Sequence, residues 1–290
     1  MKDLTGKTII VTGGTSGLGF FTAKGLAKRD ATVIIAGQNV ERGMVAANKI
    51  KKSVDGADVT FMKLNLADKN SIRDFAKQIK KLDVLVCNAG IMMPNERRMT
   101  NYGVESQFGI NYLGHFMLTA LLLPLLKSSR GRVVTVSSIA NNPQKFDLCD
   151  ATGENKYYPF RLYALSKLAA AMFALELDKL SLKNGWGVSA VPFHPGLVRT
   201  RLFSRSKHPF VIFSNIGTKL PIISMSSRWA ARLEIFAAVS KKAEPGVFYG
   251  PFLTFVGGPR RARLPKLARD LAKRRELWEF SEKMTKTKID

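Results

Sequence analysis

The chain has 290 residues, of which 46% are hydrophobic and 23% are charged, as is ordinary for a globular protein. It has only two cysteines, Cys87 and Cys149, which lack metal-ligand spacing and are too few for a disulfide framework, so we expect a reducing compartment. We identify no signal peptide and no apolar run long enough to span a bilayer. We therefore expect a soluble, cytoplasmic protein.

The net charge of +24 is concentrated towards the C-terminus. Residues 1–198 carry 26 basic and 15 acidic side chains, whereas residues 199–290 carry 20 and 7. Such a surface can attract nucleic acid, anionic lipid or an acidic substrate, or it can be a solvated cationic face without a partner. Because no nucleic-acid-binding motif accompanies the charge, we favour the solvated face and expect no nucleic acid partner.

Taken in chain order, short apolar segments alternate with helical patterns. Strands are predicted at 8–11, 32–36, 59–64, 84–88, 132–137, 188–193 and 246–249. The clearest helical patterns lie at 17–29, 71–80, 111–126, 163–182 and 226–240. Continuous apolar strands separated by helices are typical of a parallel sheet covered on both faces. The pattern predicts one α/β domain over 1–290, with a doubly wound parallel sheet of about seven strands and helices on both faces.

The turn from the first strand to the first helix is rich in glycine and reads TGGTSGLG, Thr12 to Gly19. Backbone N–H groups and the helix macrodipole favour an anion at such a turn. A nucleoside-triphosphate loop is excluded because Phe20 replaces the required lysine, and the spacing G-x-G-x-x-G is absent. The spacing present is Gly13-x-x-x-Gly17-x-Gly19, which we interpret as a phosphate-binding turn. A glycine turn without a ligand is the alternative.

Ligands of doubly wound sheets bind beyond the carboxyl ends of the strands, and small or polar residues are predicted there. They are the NAG segment at 88–90, Ser137 and Ser138 after the fifth strand, and HPGLVRT at 194–200. Only one of the two serines can point into the site, because successive strand residues alternate between faces. The following helix carries Tyr163 and Lys167 four residues apart, on one helical face.

With these motifs in this order, the sequence resembles the short-chain dehydrogenase/reductase family. The family pattern TGxxxGxG, NAG, Asn, Ser, Y-x-x-x-K and PGxxxT lies here within residues 5–250, with the single asparagine at Asn111. Tyr163 follows Ser138 by 25 positions, and this long spacing together with YALSKLAAAMFALEL resembles the retinol dehydrogenase-like branch. The resemblance implies a Rossmann-type fold and an oxidoreductase that acts on lipophilic aldehydes, ketones or alcohols such as retinoids, steroids or lipid aldehydes.

The resemblance assigns catalytic roles to four residues: Asn111, Ser138, Tyr163 and Lys167. Tyr163 exchanges a proton with the substrate oxygen, and Ser138, favoured over Ser137 by its family position, hydrogen-bonds to that oxygen. Lys167 contacts the cofactor ribose, and Asn111 holds a water that links this lysine to solvent. A neighbouring ammonium favours a phenolate, so Lys167, together with the positive nicotinamide ring of the oxidised cofactor, is expected to lower the pKa of Tyr163. An ordinary exposed helix pair is the alternative interpretation of the tyrosine and lysine.

Two alternatives to this chemistry are weaker. A zinc dehydrogenase is not expected, because His115, His194 and His208 lack ligand spacing, so no metal is predicted. A Rossmann-type fold is also compatible with a non-catalytic protein that binds nucleotides or has a regulatory role. The four intact catalytic-type residues argue against it.

A nicotinamide dinucleotide is the implied cofactor. The resemblance places its contacts at Gly13, Thr15, Ser16, Gly17, Leu18, Gly19, Gln38, Asn65, Leu66, Asn88, Ala89, Gly90, Tyr163, Lys167, Pro195, Gly196, Val198 and Thr200. Folds that prefer NAD show an acidic residue at the end of the second strand, and here the sequence AGQN contains none. We expect NADP, with NAD as the alternative. Gln38 replaces a frequent arginine and Asn65 a common aspartate, so charge is missing near the adenosine end.

The segment that follows Thr200 is apolar but is interrupted by proline and glycine. We predict a substrate lid at about 201–225, with substrate contacts at Phe203, Phe210, Ile212 and Phe213. A packed structural excursion or a subunit contact is the alternative. Basic residues within the segment would favour an anionic membrane, so weak peripheral membrane association is a hypothesis, as is a homodimer. A basic C-terminal extension is expected at about 257–290.

Overall fold

The computed structural model describes residues 3–143, 145–153, 156–199 and 224–290, and the elements below lie within these ranges. The strands are β1 Thr8–Thr12, β2 Thr32–Gly37, β3 Val59–Lys63, β4 Val84–Cys87, β5 Arg132–Val136, β6 Ser189–Phe193, β7 Val198–Arg199, β8 Met225–Ser226, β9 Tyr249–Pro251 and β10 Pro259–Arg261. The helices are α1 Gly17–Ala27, α2 Val40–Ser53, α3 Lys69–Gln78, α4 Ser106–Phe108, α5 Gly114–Ser129, α6 Cys149–Thr152, α7 Pro159–Asn184, α8 Ser227–Val239, α9 Lys266–Arg269 and α10 Leu271–Thr285. A π-helical turn, Gly109–Leu113, joins α4 to α5.

The main sheet has the strand order β10-β9-β6-β5-β4-β1-β2-β3. From β1 the chain winds outward through β2 and β3, and then returns to place β4, β5 and β6 on the other side of β1. The strand pairs among these six elements are parallel. The predicted doubly wound α/β fold is confirmed, and its switch point lies between β1 and β4.

The prediction of about seven strands is one too low, because the main sheet has eight. The additional strand, β10, pairs antiparallel with β9 at the edge of the sheet. Its sequence is Pro259-Arg260-Arg261, which has neither the apolar character of a buried strand nor a polar–apolar alternation. Proline and charged side chains are tolerated at a sheet edge, so the element is recognisable only once its partner strand is known.

The helices cover both faces of the sheet. On one face, α1 packs against α8, and on the other α5, α7 and α10 enclose a cluster of aromatic rings. In that cluster the Trp278 ring lies 5.3 Å from the ring of Phe116 and 5.8 Å from that of Phe173. Residues from the basic C-terminal part of the chain therefore contribute to the core.

The helical stretch Ser106–Ser129 is long and apolar enough to cross a membrane by length and composition. In the fold, however, 78% of its most apolar window is buried against other elements. Its outward-facing area is small, because it packs beside α3 and α7 on the sheet.

A carboxyl group is buried between α8 and α1, and only one of its two oxygens is hydrogen-bonded within the described residues. Glu234 has no exposed surface, and its Oε2 accepts a hydrogen bond from the Thr22 hydroxyl. Among the described residues its Oε1 has no hydrogen-bond partner. Burial raises the pKa of Glu234 to about 7, against the opposing effects of the Thr22 hydroxyl and the Lys167 charge. The fold therefore favours the protonated acid.

This burial makes stability dependent on pH. A carboxyl with a pKa of about 7 when folded and 4.5 in its ordinary state binds a proton more tightly in the folded protein. The stability that it contributes is complete below its ordinary pKa and is lost as the pH rises through the folded value. We expect Glu234→Gln to flatten this decline, by about 1.4 kcal/mol for each unit of pKa difference. The free energy of unfolding in urea, measured at pH values from below 4.5 to above 7, tests this expectation.

The exposed Glu279 supplies the matched control, because Glu279→Gln removes the same charge from a solvated position. That variant should keep the pH profile of the native protein. Parallel profiles for the native protein and Glu234→Gln would contradict the assignment of the pH dependence to the buried carboxyl.

Candidate active site

The glycine turn after β1 is in direct backbone contact with the NAG segment after β4. Gly13 has a φ of +68°, and a Cβ there would lie 2.8 Å from the Cα of Ala89. A Cβ on Gly19 would lie 2.4 Å from the side-chain amide nitrogen of Asn88. Both distances are shorter than any real Cβ contact, so a side chain at either position would separate the two segments.

Helix α1 begins at this turn and points its N-terminus into a cleft. Ser16 is the N-cap residue, but its side chain makes no capping hydrogen bond, and the first turn contains no acidic residue. The N–H groups of a first helical turn have no partner within the helix, and they carry the positive end of the macrodipole. The glycine turn thus presents an uncompensated positive potential of the kind that binds phosphate.

The cleft has a volume of about 1590 Å³ and runs from the glycine turn to α7. Most of the residues predicted to contact cofactor or substrate line it. They are Gly13, Thr15, Ser16, Gly17, Leu18, Gly19, Gln38, Leu66, Asn88, Ala89, Gly90, Ser138, Tyr163, Lys167, Pro195, Gly196 and Val198. Asn65 and Asn111 are not among the lining residues, and Thr200, Phe203, Phe210, Ile212 and Phe213 lie outside the described residues.

A chain of hydrogen bonds connects the end of β1 to the NAG segment and to the π-helical turn. The Thr12 hydroxyl oxygen accepts from the backbone N–H of Ala89 at 3.0 Å, and the Asn88 amide donates to the Thr12 carbonyl at 2.7 Å. The same hydroxyl lies 2.9 Å from Nε2 of His115, whose Nδ1 lies 3.2 Å from the carbonyl oxygen of Asn111. A carbonyl only accepts, so the contact with Asn111 places the proton on Nδ1, and Nε2 is then an acceptor that shares the Thr12 hydroxyl proton with the Val86 carbonyl oxygen at 3.2 Å.

His115 is therefore a structural link. Burial lowers its pKa to about 4, which keeps the ring neutral and this arrangement of donors intact at neutral pH. From the sequence alone, His115 was considered only as a possible metal ligand. Its spacing of four residues from Asn111 is the signal that could have placed both on one side of the helix.

The Asn111 side chain holds the backbone after the NAG segment in place. Its Oδ1 accepts from the N–H of Ile91 at 2.8 Å, and its amide donates to the Ile91 carbonyl and to the Ser166 hydroxyl, both at 3.0 Å. The residue lies in the π-helical turn, an irregularity frequently found at functional sites. The turn brings Asn111 close to Gly90, where an added Cβ would lie 3.0 Å from Oδ1 and 3.5 Å from Nζ of Lys167.

The two serines after β5 have different surroundings. Ser137 is buried, donates to the backbone carbonyl of Lys167 at 2.8 Å and accepts from the Asn141 amide at 3.1 Å. Both serines line the cleft, but the Ser138 hydroxyl is the one that lies close enough to the Tyr163 phenol to lower its pKa. The structure thus brings Ser138, and not Ser137, to the tyrosine.

Tyr163 and Lys167 lie on α7 and are 6% and 5% exposed. Nζ of Lys167 donates to the carbonyl of Val136 at 2.9 Å and lies 5.9 Å from the centroid of the tyrosine ring. Burial lowers the pKa of Lys167 to about 8 and raises that of Tyr163, partly offset by the Ser138 hydroxyl. Burial therefore acts against the lowering of the Tyr163 pKa that Lys167 is expected to cause. The Lys167 ammonium donates to a backbone carbonyl, and the phenol is desolvated.

At the other end of the cleft, the two side chains directly after β2, Gln38 and Asn39, are uncharged. The Gln38 amide donates to Oδ1 of Asn65, which also accepts from the backbone N–H of Ala67 at 3.0 Å. Gln38, Asn39 and Arg42 line the cleft there together with Glu41. Within the described residues, no group of three or more His, Cys, Asp or Glu side chains could hold a metal ion.

Residues 7–209 match the sequence profile described as short chain dehydrogenase. The chain belongs to this family. Retinol dehydrogenase 12 of Mus musculus is 41% identical over 248 residues, which are 84% of this chain and 76% of that protein. Polyprenol dehydrogenase of Danio rerio is 34% identical over 290 residues, 97% of this chain and 87% of that protein. The crystal structure of an uncharacterized protein from Mycobacterium paratuberculosis has a TM-score of 0.83 and 33% identity, and covers 100% of this chain and 97% of its own.

For this short chain dehydrogenase, the described residues on either side of the predicted lid lie beside the cleft. Only residues 224 and 225 of the 201–225 segment are described, and Met225 belongs to β8. This strand pairs in parallel with β7, aligning Met225 with Val198. Val198 lines the cleft, so the flanks of the segment meet at its wall. The predicted lid contacts themselves lie outside the described residues.

The tight packing of the glycine turn gives a stability prediction. Gly13 and Gly56 have similar φ values, +68° and +66°, but a Cβ on Gly56 meets nothing within 4 Å. Gly56→Ala should therefore lose only the conformational cost of about 1–2 kcal/mol. Gly13→Ala should lose that amount and an additional steric cost, measured as the difference in unfolding free energy in urea. Equal losses would mean that the NAG segment yields without cost.

Proposed function

We propose that this protein is an NAD(P)-dependent oxidoreductase that transfers a hydride between a nicotinamide cofactor and a lipophilic carbonyl or alcohol. The observation that carries the proposal is the convergence of Ser138, Tyr163 and Lys167 at one end of a cleft whose other end is the anion-binding N-terminus of α1. Membership of the short chain dehydrogenase family supports an oxidoreductase. Relatives named retinol dehydrogenase and polyprenol dehydrogenase support a lipophilic substrate.

The residues present fit a dinucleotide. The first turn of α1 offers unpaired N–H groups without a competing acid, which suits a pyrophosphate. The cleft of about 1590 Å³ exceeds the size of an ordinary small-molecule pocket of roughly 300–1,000 Å³. It therefore has room for a dinucleotide together with a substrate. When bound, the nicotinamide supplies or accepts the hydride, and Gly13, Ser16, Asn88 and Lys167 are positioned to hold the cofactor.

The protein itself handles the proton. In the direction of reduction, the Tyr163 phenol donates its proton to the substrate oxygen, and its raised pKa keeps it protonated at neutral pH. The Ser138 hydroxyl hydrogen-bonds to the same oxygen as negative charge develops on it. Lys167, with a pKa of about 8, remains largely charged at neutral pH and stabilises the phenolate that is left. Oxidation uses the same groups in reverse.

Removal of the phenol hydroxyl tests this assignment. We expect Tyr163→Phe to lower kcat at least about a hundredfold, the scale of a general acid or base, while the cofactor Kd stays within a few-fold of the native value. Tyr158→Phe, at a 49% exposed tyrosine, is the control and should leave both constants unchanged. Turnover close to the native rate in Tyr163→Phe would exclude this chemistry. Bound cofactor with no turnover by the native protein would instead support a non-catalytic nucleotide-binding protein.

We infer a preference for NADP over NAD. The residues after β2 that line the cleft include Gln38, Asn39 and Arg42, and Gln38 is engaged with Asn65. A carboxylate that would accept the ribose 2′-hydroxyl of NAD and repel a 2′-phosphate is missing from residues 36–39. The preference is modest, because the Gln38 amide cannot pair with a phosphate as a guanidinium does.

A charge introduced at this position should strengthen the preference. Gln38→Arg is expected to raise the ratio of kcat/KM for NADPH to that for NADH by about tenfold, through a charge-assisted bidentate contact. Gln78→Arg, on the exposed end of α3, is the matched control and should not change the ratio. Equal kcat/KM values for the two cofactors in the native protein would count against the inference.

Apolar groups surround the phenol. Met92, Met93 and Ala140 pack with Tyr163 in a small hydrophobic cluster, and Met92 and Ala140 line the cleft. Methionine adapts to varied apolar ligands, so this wall suits a lipophilic chain. Because such substrates reside in membranes, weak peripheral association of a cytoplasmic protein with a membrane belongs to the proposal. A homodimer and the apolar lid at 201–225 remain predictions.

A series of straight-chain aldehydes tests the substrate class. Each methylene buried against the apolar wall should raise kcat/KM by up to about fourfold, from about 0.8 kcal/mol per CH₂, until the pocket is full. Met92→Ser should weaken this trend, whereas Met44→Ser, at a 56% exposed position on α2, should not. A flat series, or a preference for short polar carbonyls, would refute the lipophilic site but leave the dehydrogenase chemistry intact.

A further inference from the structure

The turn between β9 and β10 exposes large apolar side chains. Phe252, Leu253 and Phe255 are 58%, 60% and 46% exposed. We call residues 252–255 the apolar tip. Its backbone is held by hydrogen bonds from the N–H of Phe252 to the carbonyl of Gly258 at 2.9 Å and from that of Leu253 to Val256 at 3.0 Å. The exposure is therefore a property of an ordered turn.

Cationic side chains adjoin the tip. Residues 245–269 contain five basic residues and no acidic residue. Arg260, Arg261, Arg263 and Lys266 are exposed, and Arg261 pairs with Glu244. The guanidinium of Arg260 lies 4.9 Å from the ring centroid of Phe252, so cation and aromatic ring occupy the same small surface.

The apolar tip lies directly against the cleft. The carbonyl of Phe255 accepts a hydrogen bond from the N–H of Leu197 at 3.2 Å. A Cβ on Gly196 would lie 2.3 Å from that carbonyl oxygen, so the two segments are in close backbone contact. Since Gly196 and Leu197 line the cleft, whatever binds the tip lies at the cleft wall.

We propose that the apolar tip and its adjoining cations dock this protein onto an anionic lipid bilayer. Aromatic and aliphatic side chains enter the interfacial region, while the arginine and lysine heads contact lipid phosphates and carboxylates. The combination fits a bilayer better than a second copy of the chain, whose identical cations would repel. The inference identifies the surface for the membrane contact of the proposed function, but it does not depend on the reaction, because binding is measured without cofactor or substrate.

Flotation of the full chain with lipid vesicles tests the docking. We expect binding to vesicles of phosphatidylcholine with phosphatidylserine, little binding to phosphatidylcholine alone, and release as salt screens the charges. The triple variant Phe252→Ser, Leu253→Ser, Phe255→Ser should bind at least tenfold more weakly. Leu182→Ser, at a 78% exposed leucine on α7, should bind like the native protein.

The charges are tested separately. The triple variant Arg260→Ala, Arg263→Ala, Lys266→Ala should lose about fivefold in affinity for each cation, or on the order of a hundredfold in all. Lys51→Ala with Lys52→Ala removes exposed cations from the end of α2 and should have little effect. Binding that either triple variant retains at the native level would overturn the proposal.

A depth measurement keeps the proposal testable even if a triple variant does not fold. A Leu253→Trp variant should show fluorescence quenching by brominated lipid beyond that of the native protein, whereas Leu182→Trp should not. Equal quenching of the two variants would overturn the inference. The inference would also be overturned if the native protein bound no vesicles but formed a dimer that the serine substitutions convert to monomer. A second copy of the chain would then be the partner of the tip.

Discussion

The position of the whole site depends on the close contact between the glycine turn after β1 and the NAG segment after β4. At Gly13 and Gly19 the gap is too small for a side chain. Thr12 fastens the contact through Ala89 and Asn88. Because this contact spans the switch point of the sheet, it fixes the N-terminus of α1 relative to the residues that follow β4 and β5. The N-terminus of α1 and the tyrosine at the other end of the cleft are thereby held at a constant separation.

Burial rather than charge pairing sets the electrostatics of the molecule's centre. Desolvation keeps His115 neutral, brings the pKa of Lys167 to about 8 and raises that of Tyr163. A neutral imidazole can link Thr12 to Asn111 only in one tautomer, and a protonated phenol is already competent to donate. The same low polarity makes an uncharged Glu234 preferable on the opposite face of the sheet. At neutral pH, His115 and Tyr163 are thus uncharged, while Lys167 remains largely charged.

The sequence predicted those features that local pattern determines. Apolar runs identified the six central strands, and glycine spacing and helical spacing identified the turn and the pair Tyr163 and Lys167. Features that depend on tertiary partners were missed. β10 has no apolar pattern, the role of His115 requires the distant Thr12, and a spacing of four residues does not reveal the burial that raises the pKa of Tyr163. The helices α2 and α10 were not among the clearest predicted helices. Their capping residues, Asn39 and Asp270, lie within mainly polar sequence.

The edge of the sheet carries both the charged strand β10 and the apolar tip. An exposed edge strand invites pairing with another chain, and charges and proline are the usual protection against it. Pro259, Arg260 and Arg261 on β10 meet that need. The neighbouring Phe252, Leu253 and Phe255 do the opposite, because exposed apolar groups beside an edge promote association. Protection of the edge therefore explains the cations but not the apolar tip. A surface that repels its own copy and still presents apolar groups beside the cleft suits an apolar partner with negative charge at its surface.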